Sequence, residues 1–166
     1  MPNTQSTGPV ILNNTPLVSL WSLGRLTLLR ELYHEVLIPQ AVYAEFVATE
    51  GFVRQAALAE APWITVGALS HPQQALVYVG LDQGEAEVLA LALEQSARLV
   101  IIDERKARRY AQRMGLPLTG LVGVLITAKH QGLIPALRPL LEQLVQQGLF
   151  LTPELIHTAL ALAGEQ

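Results

Sequence analysis

Short apolar runs along the chain alternate with longer segments whose hydrophobic positions recur every three or four residues. Residues 9–12 (PVIL) are too few for a helix and stop at Asn13-Asn14, so they predict a fully buried strand. Thr15-Pro16 reads as an N-cap and first helical position, opening a helix that runs to Gly24. A second short helix is predicted over 25–33, a strand over 35–38 (EVLI) and a helix from Pro39 through Val47. An alanine-rich helix over 51–61 and an edge strand over 63–66 (WITV) complete the first half. The second half predicts a helix over 84–95, apolar almost all round, a strand over 98–102 (RLVII) and an amphipathic helix over 104–114. A short strand over 116–118 then ends at Thr119, and helical patterns follow over 120–131, 135–147 and 153–163. Strands that read as continuous apolar runs are covered on both faces, so the expected fold is an α/β sandwich with a mainly parallel sheet.

At 166 residues the chain is about one domain's worth: a poorly ordered polar tail over 1–8 and a single domain over 9–166. Hydrophobic residues make up 51% and charged residues 15%, which excludes an intrinsically disordered chain. With no cysteine there is no disulfide framework, zinc ribbon or thiolate nucleophile, and any metal must be held by oxygen or by the 4 histidines. Those histidines show no His-x-x-x-His spacing and read as surface or satisfied structural residues. The net charge of −3 argues against a globally basic nucleic-acid binder, and an aromatic fraction of 5% argues against a base-stacking platform. No positively charged leader precedes the first apolar stretch, and no uncharged stretch reaches the roughly 20 apolar residues of a membrane span. The expectation is a cytoplasmic protein that does not enter the membrane. GxSxG, P-loop and GxGxxG motifs are all absent.

In parallel α/β sheets ligands bind beyond the carboxyl ends of the strands. Asn13, Asn14 and Thr15 follow the first predicted strand, Asp103 and Glu104 follow RLVII, and Thr119 follows LPL. Glu45 and Glu85 lie on neighbouring helices. Each acid also has an ordinary structural explanation. Asp103 could cap the next helix, and Asp82 with Glu85 fits a D-x-x-E capping box; capping and ligation stand equally for Asp103 and Glu85. Glu87 falls on nearly the opposite side of its helix from Glu85, facing solvent or supporting the site from behind. Glu45 shares a face with Val42 and Ala41, where an ionised carboxylate is costly unless it binds a metal or pairs with an arginine. Arg105, Lys106, Arg108, Arg109 and Arg113 supply five of the chain's 11 Lys+Arg, on a helix whose Ala107, Tyr110, Ala111 and Met114 form the inward stripe. Such a charged face is usually only solvated. Beside a carboxylate cluster it also suits a phosphodiester polymer, with cations holding the backbone while acids hold metal ions.

Taken in order, VILNNTPLVSL, EVLIPQAVYAEF, GEAEVLALALE and RLVIIDERKARRYAQRMGLPLTGLVGVL resemble the PIN-domain superfamily, nearest to a group of prokaryotic PIN-like proteins related to VapC. The similarity runs from about residue 10 to 163. It implies a three-layer α/β/α sandwich and a Mg²⁺- or Mn²⁺-dependent ribonuclease, including the toxins of toxin–antitoxin modules, which commonly dimerise and bind a small antitoxin. Residue by residue, the family's first aspartate falls on Asn13, its helix glutamate on Glu45, its third acid on Glu85 and its last aspartate on Asp103. Thr15 and Thr119 fall on polar positions lining the same pocket, with Glu87 and Glu104 in support. Asn13 departs from the pattern by losing a full negative charge, which weakens a two-ion arrangement. Three functions remain open at this point: a metal-dependent ribonuclease acting on RNA, a non-catalytic PIN-like module that binds RNA or a partner protein, and a structural, homodimeric domain.

Overall fold

The computed structural model describes residues 7–165; residues 1–6 of the expected polar tail lie outside the described residues. Five parallel strands, β1 (Val10–Leu12), β2 (Val36–Pro39), β3 (Ile64–Gly67), β4 (Leu99–Ile101) and β5 (Leu118–Thr119), form one sheet in the order β3-β2-β1-β4-β5. Helices cover both faces, giving the three-layer α/β/α sandwich. They are α1 (Asn14–Ser22), α2 (Thr27–Tyr33), α3 (Gln40–Val47), α4 (Gly51–Ala59) and α5 (Gln83–Glu94), followed by α6 (Arg105–Arg113), α7 (Leu121–His130), α8 (Arg138–Gln146) and α9 (Pro153–Leu162). A short 3₁₀ turn, Pro72–Val77, is an addition to the elements expected from the sequence.

The central strands are as apolar as their sequence. Val10, Ile11, Leu12, Val100 and Ile101 are completely buried, and β1 is sandwiched between β2 and β4. WITV forms an edge strand as expected, shifted by one residue, and it leaves Val66 half exposed. The other expected elements form with ends displaced by one to three residues, the ordinary fraying range of helix and strand boundaries. At two positions the displacement has a physical cause. Asn13, not Thr15, takes the extended backbone of the N-cap of α1. Pro16 then sits in the first turn, where its missing N–H costs no intrahelical bond. Likewise Pro39 closes β2 in extended conformation and α3 begins at Gln40.

Chain order creates the feature that positions a site. From β1 the chain steps outward through β2 to β3. The segment carrying α5 then returns it across the sheet to place β4 on the other side of β1. The register Val10↔Leu99, Ile11↔Val100, Leu12↔Ile101 holds those two strands together. Between them lies the topological switch point, where a crevice opens at the carboxyl ends. No helix among the described residues is long and apolar enough to cross a membrane.

Candidate active site

Asn13 and Asp103 stand at the two sides of that crevice, immediately beyond β1 and β4. The Asn13 N–H donates to the Ile101 carbonyl at 3.0 Å, extending the strand ladder by one residue. Its side chain is only 4% exposed and makes no capping bond to α1. Asp103 does not cap α6. Glu104 is the N-cap, its Oε2 accepting the Ala107 N–H at 2.9 Å. Asp103 is thereby released to the start of α7, where the Leu121 N–H donates to its two oxygens at 3.0 and 3.3 Å. The positive end of the helix dipole favours an anion there. Gly120 makes the approach possible, because a Cβ at that position would lie 2.5 Å from Asp103 Oδ1 and 3.2 Å from Arg108 Nη1. Gly123 does the same for the Thr119 hydroxyl, which occupies the place its Cβ would need.

Glu45 is not on the core face of α3. Val42 and Phe46 are buried, whereas Glu45 is exposed at the mouth of a hollow of about 470 Å³ that Asp82, Gly84 and Glu87 also line. The absence of a side chain at Gly84 lets α5 meet it: a Cβ there would come within 2.9 Å of Glu45 Oε2. Among the described residues the ion pairs are Glu50–Arg54 and Lys129–Glu165, so the arginine partner considered for Glu45 is not found. Asp82 and Glu85 form the expected capping box on α5. The Glu85 N–H donates to Asp82 Oδ1 at 2.8 Å, and the Asp82 N–H donates to Glu85 Oε2 at 3.1 Å. Glu87 is half-buried on the wall of the hollow and does not simply face solvent: it accepts the Ala41 N–H at 3.2 Å and the Gln83 amide at 3.0 Å, tying α5 to the first turn of α3.

Three of these carboxyls are pushed above their ordinary pKa range, and burial is the largest cause in each. For Glu45 the Asp82 charge adds to it while the Asn14 side chain opposes it. For Glu85 the charges of Asp82 and Glu104 add to it, against the stabilising Asp82 N–H. For Asp103 the Leu121 N–H and the Arg108 charge oppose it. Asp82 is the acid that motif reading left out of the site, assigning it only to capping. Its signal was position: it is the one other aspartate of the chain, in the segment that opens α5.

The side chains nonetheless line separate hollows. Thr119 and Asp103 share one with Arg108, whereas Thr15 lies in another with Asn14 and Arg54, so the two threonines do not line a common pocket. Among the described residues no three Asp, Glu or His side chains stand together as a ready cation cage. The donor set still fits a hard divalent cation. Such an ion is usually bound through one or two carboxylates and retained waters. Here the Asn14 side chain lies against Glu45, and its buried Oδ1 has no hydrogen-bond partner, while Asp103 offers a second carboxyl from the neighbouring hollow.

On α6, Arg105, Lys106, Arg109 and Arg113 are exposed and form the expected outward strip. Lys106 lies against Gly80, and the Arg113 guanidinium is 5.5 Å from the Tyr110 ring. Arg108 differs: it is half-buried and turns inward, donating from Nη1 to the Ile102 carbonyl at 2.8 Å.

A five-stranded parallel sheet sandwiched by helices, with Asp103 at the crevice where its strand order reverses and Glu45 and Glu85 on flanking helices, defines an α/β/α fold whose carboxyl edge carries the candidate site. The family model of the PIN domain matches residues 9–165, and the chain belongs to the PIN-domain family. The PIN domain is a nuclease fold whose members generally use divalent metal ions and commonly bind RNA. A search of curated proteins finds no match to the chain.

Proposed function

We propose that this protein is a divalent-cation-dependent ribonuclease that hydrolyses RNA phosphodiesters at the carboxyl edge of its sheet. One observation carries the reading: Asp103, held by the Leu121 N–H at the β1/β4 crevice, faces the same sheet edge as Glu45 and Glu85, and all three carboxyls are raised in pKa. Perturbed carboxyls in a cleft mark functional sites more often than chance. In this reading Mg²⁺ or Mn²⁺ would be held through one or two carboxylates, those of Asp103 and Glu45, and retained waters, with Glu85, Asn13 and Asn14 in support. The bound cation supplies an acidified water and neutralises charge on the phosphoryl group.

The chain's own residues do the rest. Asp103 is fixed in place before substrate arrives, which spares the ordering cost at the moment of reaction. Glu45, at the mouth of its hollow, orients the attacking water, whose proton passes to solvent as the new P–O bond forms and the old one breaks. The leaving oxygen is protonated from solvent. Arg105, Lys106, Arg109 and Arg113 hold the phosphates on either side. Purified protein incubated with single-stranded RNA and Mn²⁺ should cleave it, and Asp103→Ala should lower the rate at least a hundredfold. Equal rates for parent and variant sink the proposal. The same reading extends to a cytoplasmic, homodimeric toxin with a small antitoxin as partner. Growth arrest on expression, relieved by a co-expressed antitoxin candidate, tests that extension.

A second reading, a catalytically weakened module that binds RNA or a partner protein, is favoured by Asn13, whose amide stands where the family has an aspartate. If it holds, Asn13→Asp raises Mn²⁺ affinity in calorimetry and creates cleavage that the parent lacks. If the parent already cleaves and Asn13→Asp adds nothing, this second reading falls.

A further inference from the structure

The hollow of about 440 Å³ that Asp103 lines reaches well beyond that carboxylate, over residues the proposed chemistry does not use. Its polar end is formed by Asp103, Arg108 and Thr119, and its apolar wall by Val122 and Ile126 of α7 together with Leu149, Phe150 and Leu155. Phe150 stands at the rim with 86% of its surface exposed, in the link between α8 and α9. At that rim the ring continues the apolar wall and presents a flat face beside the polar end of the hollow. The occupant must offer an apolar face to Phe150 and polar groups to Arg108 and Thr119 at once. An apolar protein surface would strand the Asp103 carboxylate away from water, which is expensive. A nucleobase meets both demands, having a π-face for stacking and hydrogen-bonding edges. The volume is of small-molecule size, enough for one nucleotide and too small for a duplex.

We infer that this hollow is a subsite for one unpaired nucleobase of the RNA, stacked on Phe150 with its edge toward Thr119 and Arg108. The inference rests on the ribonuclease reading above and adds a specificity element to it. A single ring at one subsite is not the multi-aromatic platform that the composition argues against; here phosphate contacts along α6 carry general affinity and Phe150 reads one base.

The test is binding of a fluorescein-labelled 12-mer single-stranded RNA to the full chain in EDTA, by anisotropy, alongside Mn²⁺-dependent cleavage of the same RNA. Phe150→Ala should weaken binding about fivefold or more, the lower end of measured base–aromatic stacking. It should leave the salt dependence unchanged, because Phe150 touches no phosphate, whereas Arg109→Ala should reduce the salt slope. Phe150→Trp should restore affinity. The ring is exposed, so melting curves of these variants should overlay the parent's. Parent protein that cleaves RNA while Phe150→Ala binds and cleaves equally well overturns the subsite and leaves the nuclease reading standing. Parent protein that neither binds nor cleaves RNA overturns both. A parent dimer that Phe150→Ala converts to monomer in light scattering assigns the ring to self-association and overturns the subsite.

Discussion

At the scale of single residues, the candidate site is built from places where a side chain is missing. Gly120, Gly84 and Gly123 each leave a volume that Asp103, Glu45 or Thr119 occupies. Asp103 shows what such placement does to stability. Its carboxyl is raised above the ordinary aspartate range by burial. The folded state therefore holds its proton more tightly than the unfolded state, and the stability it affects falls as pH rises from the ordinary aspartate value through the raised one. Asp103→Asn should then melt at or above the temperature of the parent at pH 7 in EDTA. A calorimetric scan showing clear destabilisation would contradict this. The acids themselves were legible in the sequence, since only polar residues following apolar runs had to be found. Their partners were not. Leu121 is 18 residues from Asp103, and Ala41 is 46 from Glu87. Those bonds exist only because two strands and two helices are already packed.

Elements show the same division. Apolar strand runs and helical periodicity predicted each strand and all the α-helices described, because burial on both faces or on one stripe leaves its mark on local sequence. Cap assignment followed local rules only where the cap was a local affair, as in the Asp82–Glu85 box. At the far end of the domain it did not. Glu165, beyond α9, accepts the Leu137 N–H at 2.6 Å, the Arg138 N–H at 3.1 Å and the Lys129 ammonium at 3.0 Å, closing the turn between α7 and α8. These donors hold its carboxyl below the ordinary range, the Leu137 N–H foremost. The sign is opposite to that of Asp103: this stability is present above the ordinary glutamate value and lost as pH falls through the lowered one. Glu165→Ala leaves two backbone N–H groups without their acceptor and should cost about 1–3 kcal/mol in urea melts at pH 7. The loss should shrink in melts near pH 3.

For the molecule as a whole, a cation bound as proposed would stabilise the folded state, because only folding brings its ligands to one sheet edge. Adding Mn²⁺ at one hundred times its dissociation constant should raise unfolding free energy by about 2.7 kcal/mol, by mass action on the folded state alone. The rise should vanish in the double variant Glu45→Gln/Asp103→Asn, and thermal scans with and without EDTA measure it directly. Sequence alone determined that the chain forms an α/β sandwich, where its strands and helices run, and which acids and cations were available for chemistry. These follow from periodicity and residue type, which act over a few neighbours. Tertiary structure decided that β4 lies beside β1 and so where the crevice opens. It also decided that Glu104 and not Asp103 caps α6, that Glu45 stands at a cleft mouth and not in the core, and that Arg108 turns inward while its neighbours face solvent. Each of those outcomes depends on which distant backbone N–H, carbonyl or vacant Cβ position arrives next to a side chain. Strand order and helix packing set that arrangement, and no local pattern encodes it.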